Sequence, residues 1–252
     1  MKSDISTKLR LQARKYYSPQ HIKAAALFTR QAYQIEEDYR NNGVVTDELI
    51  EDYRSYVTGA IFAAVSFLEA TINEVFADAL EHPEGGVTVN VDPATKLLLA
   101  NMWNLSVPRT SSFEITRKFQ IALTLAGKQL IDTGSPPYED IRILLTIRNE
   151  LTHYEPKWER GEDIIPLKDA ISHLRPASPK GKSRFLFNPL VGRSAAFFPD
   201  KCLSHGCAEW AVKKSIEFVI LFTSRIGSTL LFDENSPSLK TQPLNPITNP
   251  GT

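Results

Sequence analysis

Thr46-Asp47-Glu48 opens a run of helix-forming residues that continues to about Leu80, where His82-Pro83 and Gly85-Gly86 break it. A hydroxyl residue followed by acids suits a helix start, because it meets the free N–H groups and the positive end of the helix dipole. Within the run, Phe62, Val65, Glu69, Ile72, Asn73 and Phe76 recur at three- and four-residue spacing and so share one broad face. A face of that period is core. The Glu and the Asn set into it need partners or a purpose.

Other segments carry similar punctuation. Ser18-Pro19 reads as an N-cap with proline at the first helical position, and the helix that follows stops at Asn42-Gly43. Asp92-Pro93 starts a shorter helix through Leu97, Leu98 and Trp103. Ser111 to Glu114 has capping-box spacing and leads into a helix through Phe119, Leu123 and Leu130. A helix from Tyr138 through Ile147 should finish close to His153, since Pro156 disfavours helical geometry at Glu155. Residues 157–200 are broken by Pro and Gly and read as a long irregular insertion, with short strands expected around Phe185-Leu186-Phe187. A last helix begins near Ser204 to Gly206 and runs towards Leu231. Residues 233–252, rich in Pro, Asn, Ser and Thr, are expected to be a disordered tail. The reading is an all-α bundle forming a single domain over residues 1–232.

Composition narrows the function classes. The 252 residues carry 29 Lys+Arg against 29 Asp+Glu, with 42% hydrophobic residues and 2 Cys. These values exclude a mostly disordered, collagen-like or disulfide-stapled chain, and a net charge of zero argues against coating nucleic acid by bulk charge. Free thiols, no signal-like apolar run after Met1, and an uncharged stretch (Thr58 to Leu68) too short to span a bilayer give the expectation of a cytoplasmic protein with no membrane partner. Neutrality conceals asymmetry. Residues 1–33 hold seven bases and one acid, residues 34–84 hold twelve acids against Arg40 and Arg54, and residues 175–193 hold five bases and no acid. Local charge decides where a polyanion docks.

Most chemical constellations are missing. There is no Gly-rich phosphate loop, HExxH or GxSxG. Cys202, His205 and Cys207 form a C-x2-H-x-C cluster without a second ligand pair, so buried free thiols are expected, and no metal or cofactor. The segment Ile147-Arg148-Asn149-Glu150-Leu151-Thr152-His153-Tyr154 is different. Asn149 and His153 are four apart and share a face, so the amide can orient the imidazole. Arg148 and His153 are five apart, about 7.5 Å along the axis and well round the cylinder. One helix would not aim both at a small target unless its end unwinds or a second copy contributes. Imidazole moves protons near neutral pH, and a forked guanidinium neutralises charge on phosphorus, so the pair is a minimal kit for cleaving RNA without metal. A salt-bridged Arg and a C-terminal capping His account for the same spacing.

Arg148-Asn149-x-x-x-His153, at the end of a helix in an all-α chain, resembles the R-x4-H motif of the HEPN superfamily (higher eukaryotes and prokaryotes nucleotide-binding domain). An earlier helix reading Phe67-Leu68-Glu69-Ala70-Thr71-Ile72-Asn73-Glu74 and a final helix entered through Cys207-Ala208-Glu209-Trp210-Ala211 are similar in context. The resemblance covers about Pro19 to Phe232. It implies an up-and-down bundle, a homodimer that brings two motifs together, and metal-independent endoribonuclease activity in a toxin, phage-defence or RNA-processing setting, with an antitoxin or regulatory protein as a further partner. It carries Arg148 and His153 over as the catalytic pair and Asn149 as the polar positioner. Some toxin-type members place a Tyr two residues after the His, whereas here Tyr154 follows it directly.

Two further groups come from the residues themselves. Glu69 and Asn73 are expected to point at the same site. Lys180, Lys182 and Arg184, interleaved with Phe185 and Phe187, are expected to grip single-stranded RNA by charge and stacking. A non-catalytic interaction module, or an RNA or nucleotide binder that never cleaves, is the alternative.

Overall fold

The structure, a computed structural model, describes residues 14–106, 114–155, 174, 183–192 and 194–243. It is all-α, with no strand among the described residues. The main helices are α1 (Ser18–Asn42), α2 (Asp47–Glu81), α3 (Pro93–Asn104), α4 (Ile115–Leu125), α5 (Tyr138–Thr152) and α6 (His205–Ile226).

Helix α2 is the axis of the bundle and touches each of the other five. Its start is as the sequence suggests: the Thr46 hydroxyl accepts the Leu49 N–H at 3.3 Å, with Asp47 and Glu48 in the first turn. Phe67, Leu68, Ile72 and Phe76 are fully buried along it. Over its most apolar 18 residues the mean hydropathy is 1.5, so by length and composition it could cross a membrane; 56% of that window is buried by the rest of the fold. Around it, Phe119 of α4 meets Phe218 and Phe222 of α6 edge-on at 4.9 and 4.7 Å.

Several helix ends differ from expectation. Ser18 is not the N-cap of α1. The Glu74 carboxylate of α2 takes that role, accepting the Tyr17 N–H at 2.8 Å, the Ser18 N–H at 2.9 Å and the Ser18 hydroxyl at 2.5 Å. Helix α4 stops at Leu125, before Leu130, because Gly127 turns at φ +59° and lets the Lys128 N–H close on the Leu123 carbonyl. The Ser111 half of the expected capping box lies outside the described residues. Helix α6 is capped by Ser204, whose hydroxyl accepts the Cys207 N–H at 2.9 Å, and ends at Gly227 (φ +82°), short of Leu231.

Phe185-Leu186-Phe187 is irregular rather than extended in a strand. Phe185 lies against Trp210 of α6 (5.6 Å between ring centroids) and Phe187 against Phe197 in the connection before it (5.3 Å), so aromatic packing holds this segment where a strand partner would otherwise be needed. The start of the tail is also ordered. Leu239 is buried in a short 3-10 turn (Pro237–Leu239), and Arg30 of α1 donates to the Ser238 and Lys240 carbonyls.

Candidate functional site

The last turn of α5 presents Arg148, Asn149 and His153. Its core face is set by Ile141, Leu144 and Ile147, all fully buried. Arg148 comes one residue after Ile147, about 100° round the helix, and is half-buried at the flank. Asn149 and His153 lie further round and are exposed. The helix ends on backbone groups: the His153 N–H donates to the Asn149 carbonyl at 2.9 Å and the Thr152 hydroxyl to the Arg148 carbonyl at 2.8 Å. The Arg148 and Asn149 carbonyls are thus served without the imidazole, and His153 caps the helix through its backbone N–H.

Arg148 makes no ion pair with a described residue, and its Nε is buried without a hydrogen-bond partner among them. Asn149 and His153 make no side-chain hydrogen bond to each other. The shared face is present, but the expected amide–imidazole contact is not formed. Arg148 and His153 remain about 140° apart round one helix.

Glu69 and Asn73 are drawn elsewhere. Lys118 of α4 is 1% exposed, and its Nζ sits 3.1 Å from Glu69 Oε1 and 3.4 Å from Asn73 Oδ1. The two polar residues on the apolar face therefore satisfy a buried lysine. They also lie well along α2 from the end of α5. Thr58 shares a cleft with Leu151 and Tyr154, and Glu69 is eleven residues further on, about 16 Å.

The described part of the expected RNA-gripping stretch is engaged within the fold. Arg184 pairs with Glu139 (3.4 Å) and closely with Asp140, at the opposite end of α5 from His153. Phe185 and Phe187 are committed to the aromatic packing described above. Lys180 and Lys182 lie outside the described residues.

The C-x2-H-x-C cluster is a packing node. Cys202 and Cys207 are fully buried free thiols, and no group of three or more His, Cys, Asp or Glu suited to a metal occurs among the described residues. The neighbouring Cys202 sulfur, together with burial, pushes the Cys207 thiol up. The His205 N–H and the Tyr53 hydroxyl both donate to Glu36 Oε1, at 3.0 and 2.5 Å, so a buried carboxylate sits at the start of α6. The His205 ring lies edge-on to Tyr33, with Nε2 at 3.3 Å from the Thr241 carbonyl. Burial lowers the His205 imidazole from its ordinary 6.5, against the opposing charges of Glu36 and Glu209.

A cleft of about 560 Å³ opens beside the end of α5, between Arg54 and Thr58 of α2, Tyr154, and the connection into α6. The sequence held one hint of it. Arg54 is one of two bases among the twelve acids of residues 34–84. Asn188 and Asp200, on the far wall, fall in the Pro-rich insertion, where no periodicity marks them. Comparison with family models, curated proteins and solved structures returned no match.

Proposed function

We propose that this chain is a metal-independent endoribonuclease of HEPN type, acting as a homodimer in which two α5 ends share a cleft. The observation that carries the reading is the last turn of α5. An exposed imidazole and a half-buried guanidinium stand there beside a 560 Å³ cleft, and among the described residues neither side chain has a capping bond or an ion pair.

In the reaction, neutral His153 takes the proton of a ribose 2′-hydroxyl as that oxygen attacks phosphorus. Arg148 neutralises the charge that builds on the phosphoryl oxygens. The bond from phosphorus to the 5′-oxygen breaks, and an imidazolium protonates the departing oxygen. One product ends in a 2′,3′-cyclic phosphate and the other in a 5′-hydroxyl. No electron acceptor or donor is needed.

The test is incubation of the purified protein with tRNA and total RNA in excess EDTA, beside His153→Ala. Wild type should cleave, and the variant should lose about 10²- to 10⁴-fold in rate with an unchanged melting temperature, because the side chain is exposed. A strict need for magnesium, or full activity in His153→Ala, would overturn the mechanism. The second reading, a nucleotide-binding module that does not cleave, draws on the wide angular separation of Arg148 and His153 within one subunit. It predicts RNA that binds and stays intact.

A further inference from the structure

The cleft beside α5 has chemistry more specific than its size. A volume of about 560 Å³ lies within the range that takes small organic ligands. Its far wall is braced. Asn188 donates its backbone N–H to the Lys201 carbonyl at 2.9 Å and its side-chain amide to the Asp200 carbonyl at 3.0 Å, while its own Oδ1 accepts the Leu190 N–H at 3.0 Å. Asp200 is thereby fixed on the wall with its side chain 18% exposed. Its Oδ1 meets Arg54 at 3.4 Å, and the Arg54 side chain is 57% exposed. A contact that long yields readily to a better-aligned donor. Leu151 and Leu203 supply apolar surface, and Tyr154, 48% exposed, stands at the rim.

Asp200 and Arg54, meeting in the cleft, therefore offer two carboxylate oxygens as acceptors and a guanidinium donor next to them. Among the RNA bases, guanine presents the matching row along its Watson–Crick edge: the N2 amino group and N1–H as donors, then O6 as acceptor. Adenine and cytosine set an acceptor nitrogen beside their amino group, which a carboxylate repels. Uracil offers one N–H between two carbonyls. Unstacked single-stranded bases are read in this way, by edge hydrogen bonds with an aromatic ring on one face. We infer that the cleft binds a guanine base, with Asp200 accepting from N1–H and N2–H, Arg54 donating to O6, and Tyr154 covering the ring. Since Tyr154 directly follows His153, the phosphate of that nucleotide would lie at the end of α5. This placement rests on the nuclease reading and makes the cleft its specificity pocket.

Titration of wild-type protein with GMP, AMP, CMP, UMP and IMP, followed by calorimetry, tests the pocket without requiring cleavage. GMP should bind roughly tenfold more tightly than AMP, CMP or UMP, and IMP, which lacks the N2 amino group, should be weakened several-fold relative to GMP. Asp200→Asn, checked by thermal melt, should level these differences. Arg54→Met should weaken GMP and IMP alike and provides a second variant should the first fail to fold. Equal binding of all five, no binding, or an unchanged guanine preference in Asp200→Asn would overturn the assignment. Guanine-selective binding without RNA cleavage would support the pocket and overturn the nuclease reading. Cleavage without guanine preference would do the reverse.

Discussion

Lys118 reaches two oxygens of α2 from a side chain that water barely touches, and its neighbours are asymmetric: the Glu69 side chain is 44% exposed whereas the lysine is 1% exposed. Water can therefore partly replace the lysine at Glu69, but not the glutamate at Lys118. Removing the carboxylate by Glu69→Ala should cost about 1–2 kcal/mol, a discounted form of the larger penalty for orphaning a fully buried ion. Lys118→Met, which keeps the volume and removes the charge, should be close to neutral. Urea unfolding of the two variants checks the pair. Equal losses would mean that packing, and not the ion pair, dominates. This contact also shows what a single chain of letters leaves unread. The three- and four-residue spacing places Glu69 and Asn73 on an apolar face, but the residue that meets them is 49 and 45 positions away and is named only by how α4 docks. The partners of Arg184 are hidden in the same way, since Glu139 and Asp140 lie more than forty positions earlier.

The start of α6 is where elements from distant parts of the chain lock together, and it carries a pH dependence. His205 is held neutral by burial, with its folded value below the ordinary 6.5. Its contribution is therefore intact above about pH 6.5 and is lost as the pH falls through the unfolded value towards the folded one, where the unfolded chain binds the proton first. The melting temperature of wild type should drop between pH 7 and 5 more steeply than that of His205→Gln. Parallel curves would remove His205 from the account. Element boundaries were legible where a side chain or a rigid residue sets them locally: Thr46 at α2, Asp92 at α3, Ser204 at α6, and Gly43 after α1. They are not legible where a distant group decides, as when Glu74 supplies the cap of α1. The ordered part of the tail was equally hidden, because polar composition says nothing of Arg30 and Glu209 waiting for its carbonyls and hydroxyls.

For the whole molecule, the sequence sufficed for the all-α class and for the position of the α5 motif, both consequences of short-range periodicity and helix-end chemistry. Whether that motif forms a complete site is a question of assembly. Arg148 of one subunit and His153 of another would make composite sites across a two-fold axis. Arg148→Ala and His153→Ala should then each be inactive alone. Unfolded together and refolded in equal amounts, they should recover about a quarter of wild-type cleavage, because about half the dimers are mixed and each mixed dimer holds one intact site. An absence of recovery, with mixed dimers verified by mass spectrometry, would confine each site to one subunit.

The clasp of residues 237–241 on α1 and α6 has a further consequence for how the chain comes to be. Arg30 binds carbonyls 208 and 210 positions later, and Glu36 receives an N–H 169 positions later. Helical proteins usually fold fast because their contacts are local, and here the closing contacts span most of the polypeptide. As the chain emerges from the ribosome, α1 and α2 can pair early and give the Glu36 carboxylate its contacts with Arg40 and Tyr53, but the His205 N–H reaches it only once the final quarter of the sequence is made. The contacts that close this helical bundle are thus the last ones synthesis makes possible.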